Sequence, residues 1–427
     1  ARVAKVAAAD FTHGIDGHTP VAEGVPMPAG RYNLLAGLIE LEYASGARLV
    51  IQAPADFQLV DDQTVGLSSG RLAAHVPEPA AGFVVETAGG RIIDLGTAFG
   101  VEADESNGTA IYVFDGEVSV EPAGRVPQDE KRLTLVGGTA TRIDSVTGTP
   151  AGIAFDDQKI LRSFSNGQSR YSAGVRALGP TLYYEMEPTP SGSILYDTSS
   201  APQPSQHAGH TAWIAGDANR SVLWCAGKVG TAIEMHGPRD GTWIAAPDYP
   251  RAEQDALSIV AWVYAETRPM WASIAKNWGE STCGQAHLGL RGYGGELAAH
   301  ITDRNGQEVA AVDTAPLPLH SWQHVAMVVE GDELRLYRNG ERVASTATDG
   351  LGVNPSLRKL AIGCKLNDEE SGPVPFGQWD GRLDELAVFN KALSDAQVLS
   401  LYRLVADEQR VSMKPSAGGQ QPPGNRQ

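Results

Sequence analysis

The sequence predicts an all-β protein built from two domains. Short runs of alternating apolar and polar residues recur along most of the chain, Gly or Asp-Gly separates most of them, and only one segment has confident helical spacing. The plainest instance is Ser321–Ala344, SWQHVAMVVEGDELRLYRNGERVA, which alternates through three strands joined by two tight turns. Val325, Met327 and Val329 share one face, and Leu334 and Leu336 can meet the same core. Asn339-Gly340 supplies the two positive-φ residues that a type I′ hairpin turn requires.

At 427 residues the chain exceeds one ordinary domain, and each half is long enough to bury its own core. A content of 48 Gly and 26 Pro favours many short strands and turns. The net charge of −17 argues against nucleic acid or an anionic membrane as partner, because both need a basic footprint. Cys225, Cys283 and Cys364 are too few and too far apart for a disulfide framework or a zinc site. They read either as one Cys283–Cys364 bridge with a spare thiol or as three buried thiols. No run of about 18 apolar residues exists, so no transmembrane segment is expected. The chain begins at Ala1 without Met, which reads as a processed or truncated start and leaves an upstream anchor or signal peptide open.

Residues 1–30, punctuated by Gly, Pro and His, are expected to form an irregular N-terminal arm. Residues 31–150 read as a β domain: Ile39, Leu41 and Tyr43 alternate with Glu40 and Glu42, a strand starts at Arg48, and Ala53-Pro54-Ala55 is expected to break it before Phe57 and Leu59. Residues 151–180 read as a linker with a short helix over Phe155–Phe164, followed by the polar run SNGQSRYSAG. The second β domain is expected over 181–405, with a loop at Ser199–His210. Its helix, Ser394–Val405, starts with the capping box Ser394…Gln397 and places Val398, Leu401, Tyr402 and Val405 at helical spacing. Residues 406–427 form a low-complexity tail with no core-forming pattern.

In the first domain, GFVVETAGGRIIDLGTAFGV over Gly82–Val101 and VFDGEV over Val113–Val118 resemble the FecR-like family, with Ala88 where that family usually has Pro. The resemblance implies a β-sandwich or β-stack on the outer side of an inner membrane, where the family relays an outer signal through a single-span helix to a sigma factor. Neither that helix nor a cytoplasmic segment is present in this sequence. The second domain resembles the laminin-G-like (concanavalin-like lectin/glucanase) family along almost its whole length. Carrying pieces are GTAIEMHG at Gly230–Gly237, LSIVAWVY at Leu257–Tyr264, IAKNW at Ile274–Trp278, Trp322–Ala326, LYRNG at Leu336–Gly340, and GRLDELAVF at Gly381–Phe389. That implies a jelly-roll sandwich. The pairing of the two domains is similar to extracytoplasmic proteins of planctomycete-type bacteria.

Few residues suggest catalysis. Gly66-Leu67-Ser68-Ser69-Gly70 has the G-x-S-x-G spacing of a nucleophile elbow, but a strand-like segment follows where a helix is needed, so a tight turn is the better reading. Asp384 and Glu385 are adjacent on an expected strand, which would aim them at opposite faces. Two acids so placed cannot flank one glycosidic bond. Some relatives hold a structural Ca²⁺ on acidic residues, and the resemblance makes Asp240 and Asp384 the candidate ligands here. Asn367-Asp368-Glu369-Glu370 is a second oxygen-rich loop, His207 and His210 have the H-x-x-H spacing of a metal pair, and Cys283 with His287 could form a nucleophile pair. In each case the competing reading is a solvated loop or a structural residue.

Trp271, Trp278, Tyr293 and Trp379 lie among Gly, Asn and Gln, a mixture suited to sugar stacking with hydrogen bonds; the competing reading is that they pack the sandwich. The function expected is a non-enzymatic extracytoplasmic binding or adhesion protein, at the periplasm or cell surface, whose laminin-G-like module takes a glycan or a cell-surface protein. A structural subunit that self-assembles into a surface layer or filament is the first alternative, with the arm and the tail as contacts between copies. A polysaccharide-active enzyme is the second.

Overall fold

The computed structural model describes the chain except for residues 14–23, 105–106, 124–131, 158, 163–168, 190–193, 201–211, 216–222, 238–241, 248, 250–251, 253, 354–356 and 413–427. Its first part is one twelve-stranded sheet. The strands are β1 (Arg2–His13), β2 (Gly30–Glu42), β3 (Arg48–Leu59), β4 (Thr64–His75), β5 (Val84–Thr87), β6 (Gly90–Asp94), β7 (Ala98–Asp104), β8 (Gly108–Asp115), β9 (Glu117–Pro122), β10 (Leu133–Val136), β11 (Thr139–Ile143) and β12 (Pro150–Gly152). β1 to β4 pair in succession, antiparallel, and β4 then pairs β7 antiparallel and β5 parallel. Leu41, Ile51, Phe57, Phe83, Phe99 and Val113 meet in one buried cluster.

Three expectations fail here. The arm is not irregular throughout, because Arg2–His13 forms β1 and hydrogen-bonds along β2. Its Ala-rich sequence has no period to read, so the pairing comes from the partner strand. β3 is not broken at Pro54, since it runs from Arg48 to Leu59 with a register shift against β4 between Gln52 and Asp56. The Gly66–Gly70 motif is no turn; it lies within β4 at that irregularity. Gly70 has φ +106°, and a Cβ there would sit 2.5 Å from the Pro54 carbonyl oxygen, so only glycine fits.

After the first sheet come α1 (Arg170–Ala177), β13 (Leu182–Tyr184), β14 (Ile194–Leu195), β15 (Ala212–Ala215), β16 (Leu223–Ala226), β17 (Thr231–His236) and β18 (Trp243–Ala246). They are followed by β19 (Ala256–Ala265), β20 (Ser273–Lys276), β21 (Ala286–Arg291), β22 (Glu296–Thr302), β23 (Glu308–Pro316) and β24 (Trp322–Glu330). The chain continues with β25 (Glu333–Arg338), β26 (Glu341–Ala347), β27 (Leu360–Ile362), β28 (Asp380–Phe389) and α2 (Asp395–Ser412). Two eight-stranded sheets result. One runs β16-β17-β28-β19-β24-β25-β26 with β13 also on β28, and the other runs β14-β15-β18-β27-β20-β21-β22-β23.

The core between them takes Ile259, Val263, Val325, Met327, Val329 and Leu336 from the first of these sheets, and Ile274, Leu288, Leu290, Leu297 and Ile301 from the second. The faces expected for β24 and β25 are therefore the buried ones. Each such aliphatic side chain contributes roughly 1.5–3 kcal/mol of burial. Asn339 and Gly340 have φ +54° and +81°, as the hairpin turn requires. Trp262 and Trp322 are buried too, but on the outer face of the first sheet, under the helices.

α2 starts as expected: the Ser394 N–H donates to Gln397 Oε1 at 2.9 Å and the Gln397 N–H donates to Ser394 Oγ at 3.2 Å. The other helix is misplaced in the sequence reading. The described part of Phe155–Phe164 is not helical, and α1 forms instead inside the supposed linker, with Ser169 Oγ accepting from the Ser172 N–H at 2.9 Å. Tyr171 and Val175 of α1 pack with Val398, Leu401 and Val405 of α2 on the outer face of the first sheet. In the 155–161 segment tertiary contacts take the place of a helix: Ile160 and Leu161 are buried with Leu38 and Tyr112 of the first domain.

That segment lies on a charged seam between the domains. Arg71 on β4 holds Glu102 on β7 at 2.9 Å and Glu234 on β17 at 2.6 Å. Lys159 also pairs with Glu234, and Asp156 pairs with Arg382 of β28. Burial alone would raise the Glu234 carboxyl; Arg71 and then Lys159 overcome it and hold it well below the usual range.

Candidate functional site: the outer faces of the sandwich

Each sheet of the sandwich turns a polar cluster outward, and a bulge sets each one. On β28, Leu383 and Leu386 both enter the core, so the two residues between them face outward together. Glu385 has φ +54°, and the register against β19 shifts between Val260 and Trp262. Simple alternation is thus wrong at this point: Asp384 and Glu385 share one side because an extra residue occupies the strand. They are 0% and 1% exposed, under α1, α2 and the aromatic residues Tyr171 and Trp262. Asp384 Oδ2 accepts the Val229 N–H at 2.9 Å, and Glu385 Oε2 accepts the Tyr183 hydroxyl. Burial raises both carboxyls well above the usual range, and the charge of Asp384 raises Glu385 further. It is the two helices that cover this pair.

Of the two expected calcium ligands, only Asp384 lies within the described residues, and Asp240 lies outside them. At Asp384, one oxygen faces amide donors and only Oδ1 is unpartnered, whereas calcium takes six to eight oxygens. Among the described residues no three His, Cys, Asp or Glu side chains converge as a metal site. Asp368 accepts from the Ser281 hydroxyl and from the Ser281 and Thr282 N–H groups, the hydroxyl most of all holding its carboxyl down at about 2, and Glu370 accepts from the Arg358 and Lys359 N–H groups. His207 and His210 lie outside the described residues. No disulfide joins Cys283 to Cys364: Cys283 is exposed and Cys364 buried.

The outer face of the other sheet differs. Ile274 and Ala275 both enter the core, and the register of β20 against β21 shifts between Ser273 and Ala275. The shift puts Lys276 outward, opposite His287, which in turn pairs with His300 on β22. The imidazoles stack with ring centres 5.3 Å apart and planes 21° apart. Two partly exposed indoles stand against them: Trp271 edge-on to His300 at 5.8 Å, and Trp278 against His300 at 6.1 Å and His287 at 6.2 Å. Trp271 sits at φ +58°, a conformation rare for a bulky residue and a mark of local constraint.

The hydrogen bonds assign the ring nitrogens. His300 Nδ1 lies 2.7 Å from Glu308 Oε1, so its N–H donates there and Nε2 is left as an acceptor. His287 Nδ1 lies 3.5 Å from Lys276 Nζ and accepts from the ammonium, so Nε2 carries the proton. Burial lowers both imidazoles, His287 well below its ordinary value, and keeps them neutral. Both Nε2 atoms, one donor and one acceptor, are buried without a partner, as is Trp278 Nε1. A Cβ at residue 289 would sit 2.3 Å from the Ala272 carbonyl oxygen and 2.5 Å from His287 Nε2, so only glycine packs against that nitrogen.

Of the four aromatics singled out, the structure brings two together. Trp271 and Trp278 wall this site. Tyr293 is 88% exposed at the β21–β22 tip, roughly 13 Å or more along the strand from His287. Trp379 is a correction: at 1% exposure it belongs to the inner core, with its backbone N–H donating to the Gly363 carbonyl. Lys276 and His300 were missed as site residues, and His287 was considered only as a partner for Cys283. A signal for the histidines existed, because His287 and His300 are equally spaced from the Arg291↔Glu296 pair that closes the hairpin.

Two stretches of the chain match known families. Residues 37–119 match the family described as FecR protein, and residues 238–399 match the concanavalin A-like lectin/glucanases superfamily. The chain carries a FecR domain followed by a concanavalin A-like domain. No curated protein matches the sequence. Among solved structures it is similar to domain 4 of AbnA, a GH43 extracellular arabinanase from Geobacillus stearothermophilus, in complex with arabinotriose, at 19% identity and a TM-score of 0.40, over 52% of this chain and 98% of that one. It is also similar to the binding domain of Paraclostridial Mosquitocidal Protein 1, at 15% identity and a TM-score of 0.40, over 53% of this chain and 52% of that one. The botulinum neurotoxin serotype D ligand-binding domain in complex with N-acetylneuraminic acid gives 15% identity and a TM-score of 0.38, over 55% and 52%. The chain therefore spans nearly all of the arabinanase domain and about half of each toxin domain.

Proposed function

We propose that this is an extracytoplasmic glycan-binding protein, a FecR domain carrying a concanavalin A-like module that takes sugar on the outer face of β20–β22. The observation that carries this reading is the pairing of two partly exposed indoles with two buried, unpartnered imidazole nitrogens. Indole faces stack on the apolar faces of sugar rings. A donor Nε2–H beside an acceptor Nε2 matches a hydroxyl, which both gives and takes a hydrogen bond. Both described helices and the FecR domain lie on the opposite sheet.

The extracytoplasmic assignment rests on the FecR family match, and no helix among the described residues is long and apolar enough to cross a membrane. The buried state of Asp384 and Glu385 favours binding over a hydrolytic role for that pair. Assembly through the arm is less favoured, because β1 already has a partner within its own chain. The test is a glycan array on the full chain, followed by Trp271→Ala and Trp278→Ala. Each change should weaken binding about tenfold, or ~1.4 kcal/mol, while leaving the melting temperature nearly unchanged. Undiminished binding in both variants would remove this face from the function.

A further inference from the structure

Lys276 is the unexplained group of this site. Its side chain is buried, with 4% of the residue exposed, and its Nζ has two close neighbours: His287 Nδ1 at 3.5 Å and the Trp278 ring at 5.3 Å. Neither is an anion. The charged and titratable groups around it come from three strands and two loops. Lys365 lies in the loop after β27 and Glu308 on β23; the thiols of Cys283 and Cys364 lie in the β20–β21 loop and after β27. His287 and His300 complete the set, with Arg291 acting on His300. Glu308 is the one carboxylate among these, and it already takes the His300 N–H. The neighbourhood is therefore cationic within a chain of net charge −17.

We propose that this face selects anionic sugars, bearing a carboxylate or a sulfate ester, with Lys276 as the counter-charge. The inference rests on the glycan-binding reading and names its ligand class. A buried ammonium without a counter-ion is unfavourable, and an anion beside it removes that penalty. The His287 Nε2–H, which has no partner, supplies a second donor to the same anion. Trp271 and Trp278 carry the ring of the sugar.

Protonation gives the idea a signature. Burial first, and Lys365 second, push the Lys276 ammonium down to about 7. An anion at Nζ favours the charged form, so binding takes up a proton near neutrality. A group titrating there is mostly protonated at pH 6 and about one-tenth protonated at pH 8, so affinity should fall about tenfold across that range.

The experiment uses the full chain on an array that pairs oligogalacturonates with oligogalactans, and sulfated with desulfated chondroitin and carrageenan fragments. Calorimetry on the strongest acidic ligand and its neutral counterpart follows, at pH 6, 7 and 8, in two buffers of different ionisation enthalpy. At least tenfold preference for the acidic member, with proton uptake, is expected, and the uronate and sulfate arms identify the anion. Equal or better binding of neutral members overturns the inference and leaves the glycan reading standing. Silence from every member overturns both. Lys276→Met should erase the preference while weak neutral binding persists through the indoles; a retained preference overturns the role of Lys276. Lys276→Arg, charged throughout, should keep the preference and flatten the pH profile. An unchanged slope in Lys276→Arg assigns the titration elsewhere and overturns the proposal even if the Met variant does not fold.

Discussion

The two outer faces of the sandwich use the same device for opposite ends. On β28 a bulge turns Asp384 and Glu385 outward, and helices with aromatic residues then seal them. On β20 a register shift turns Lys276 outward beside two imidazoles, and no helix covers it among the described residues. The sealed carboxylates take a tyrosine hydroxyl and a backbone amide as partners. The open face keeps both imidazole Nε2 atoms unpartnered. Neither burial of charge nor an unpartnered atom separates the faces, since Asp384 Oδ1 also lacks a partner; what separates them is the cover, helices on one and two partly exposed indoles on the other.

Changes on the two sheets should therefore separate stability from binding. The largest effect belongs to the seam on the sealed sheet. Glu234→Ala leaves Arg71 buried with one partner fewer and should cost about 3–5 kcal/mol in denaturant unfolding, with loss of a single joint transition for the two domains. A change under 1 kcal/mol would show that the seam is not a buried charge network in solution.

On the open sheet the sign reverses. The folded state holds the Lys276 ammonium down at about 7, far below its unfolded value, so the folded protein binds fewer protons between those limits. The charged lysine is a full penalty below pH 7, relieved as pH rises above it. Lys276→Met should raise stability at pH 6 by on the order of 3 kcal/mol, and the gap over wild type should close toward pH 10. A constant gap between pH 6 and 10 would remove Lys276 as the titrating group.

Asp384→Asn tests the sealed acids. Their raised carboxyls make the folded state bind more protons than the unfolded one, so stability is lost as pH rises above the ordinary carboxylate range. The variant should recover about 1–2 kcal/mol at pH 7 by thermal melts, with glycan binding unchanged. Reduced binding in this variant would reopen the sealed face as functional. The smallest effect expected is at Ser394, whose Oγ caps α2: Ser394→Ala should cost ~1 kcal/mol in denaturant melts and leave binding alone.

The parts of this molecule that follow local rules were legible in the sequence. Asn339-Gly340 announces its turn, Ser394 and Gln397 their capping box, and Val325, Met327 and Val329 their core face. The parts that break a period were not. A bulge adds one residue and reverses every inference drawn from alternation, so the shared side of Asp384 and Glu385 could not be read from their adjacency. Helix α1 was hidden because its apolar face is short, only Tyr171 and Val175, and its stability comes from α2. Trp379 looked like a loop residue because its neighbours are polar, while its own side chain is a core anchor. The half of the site that was found, Trp271 and Trp278, came from residue type; the missed half needed the cross-strand register.

The seam from Arg71 through Glu234 to Lys159, with Asp156 on Arg382, has a mechanical consequence. Among the described residues it ties the FecR domain to the sheet that backs the one carrying Lys276. A tug on a bound polysaccharide would travel through the sandwich and arrive at β4 as force and torque, not as the swing of a tethered bead.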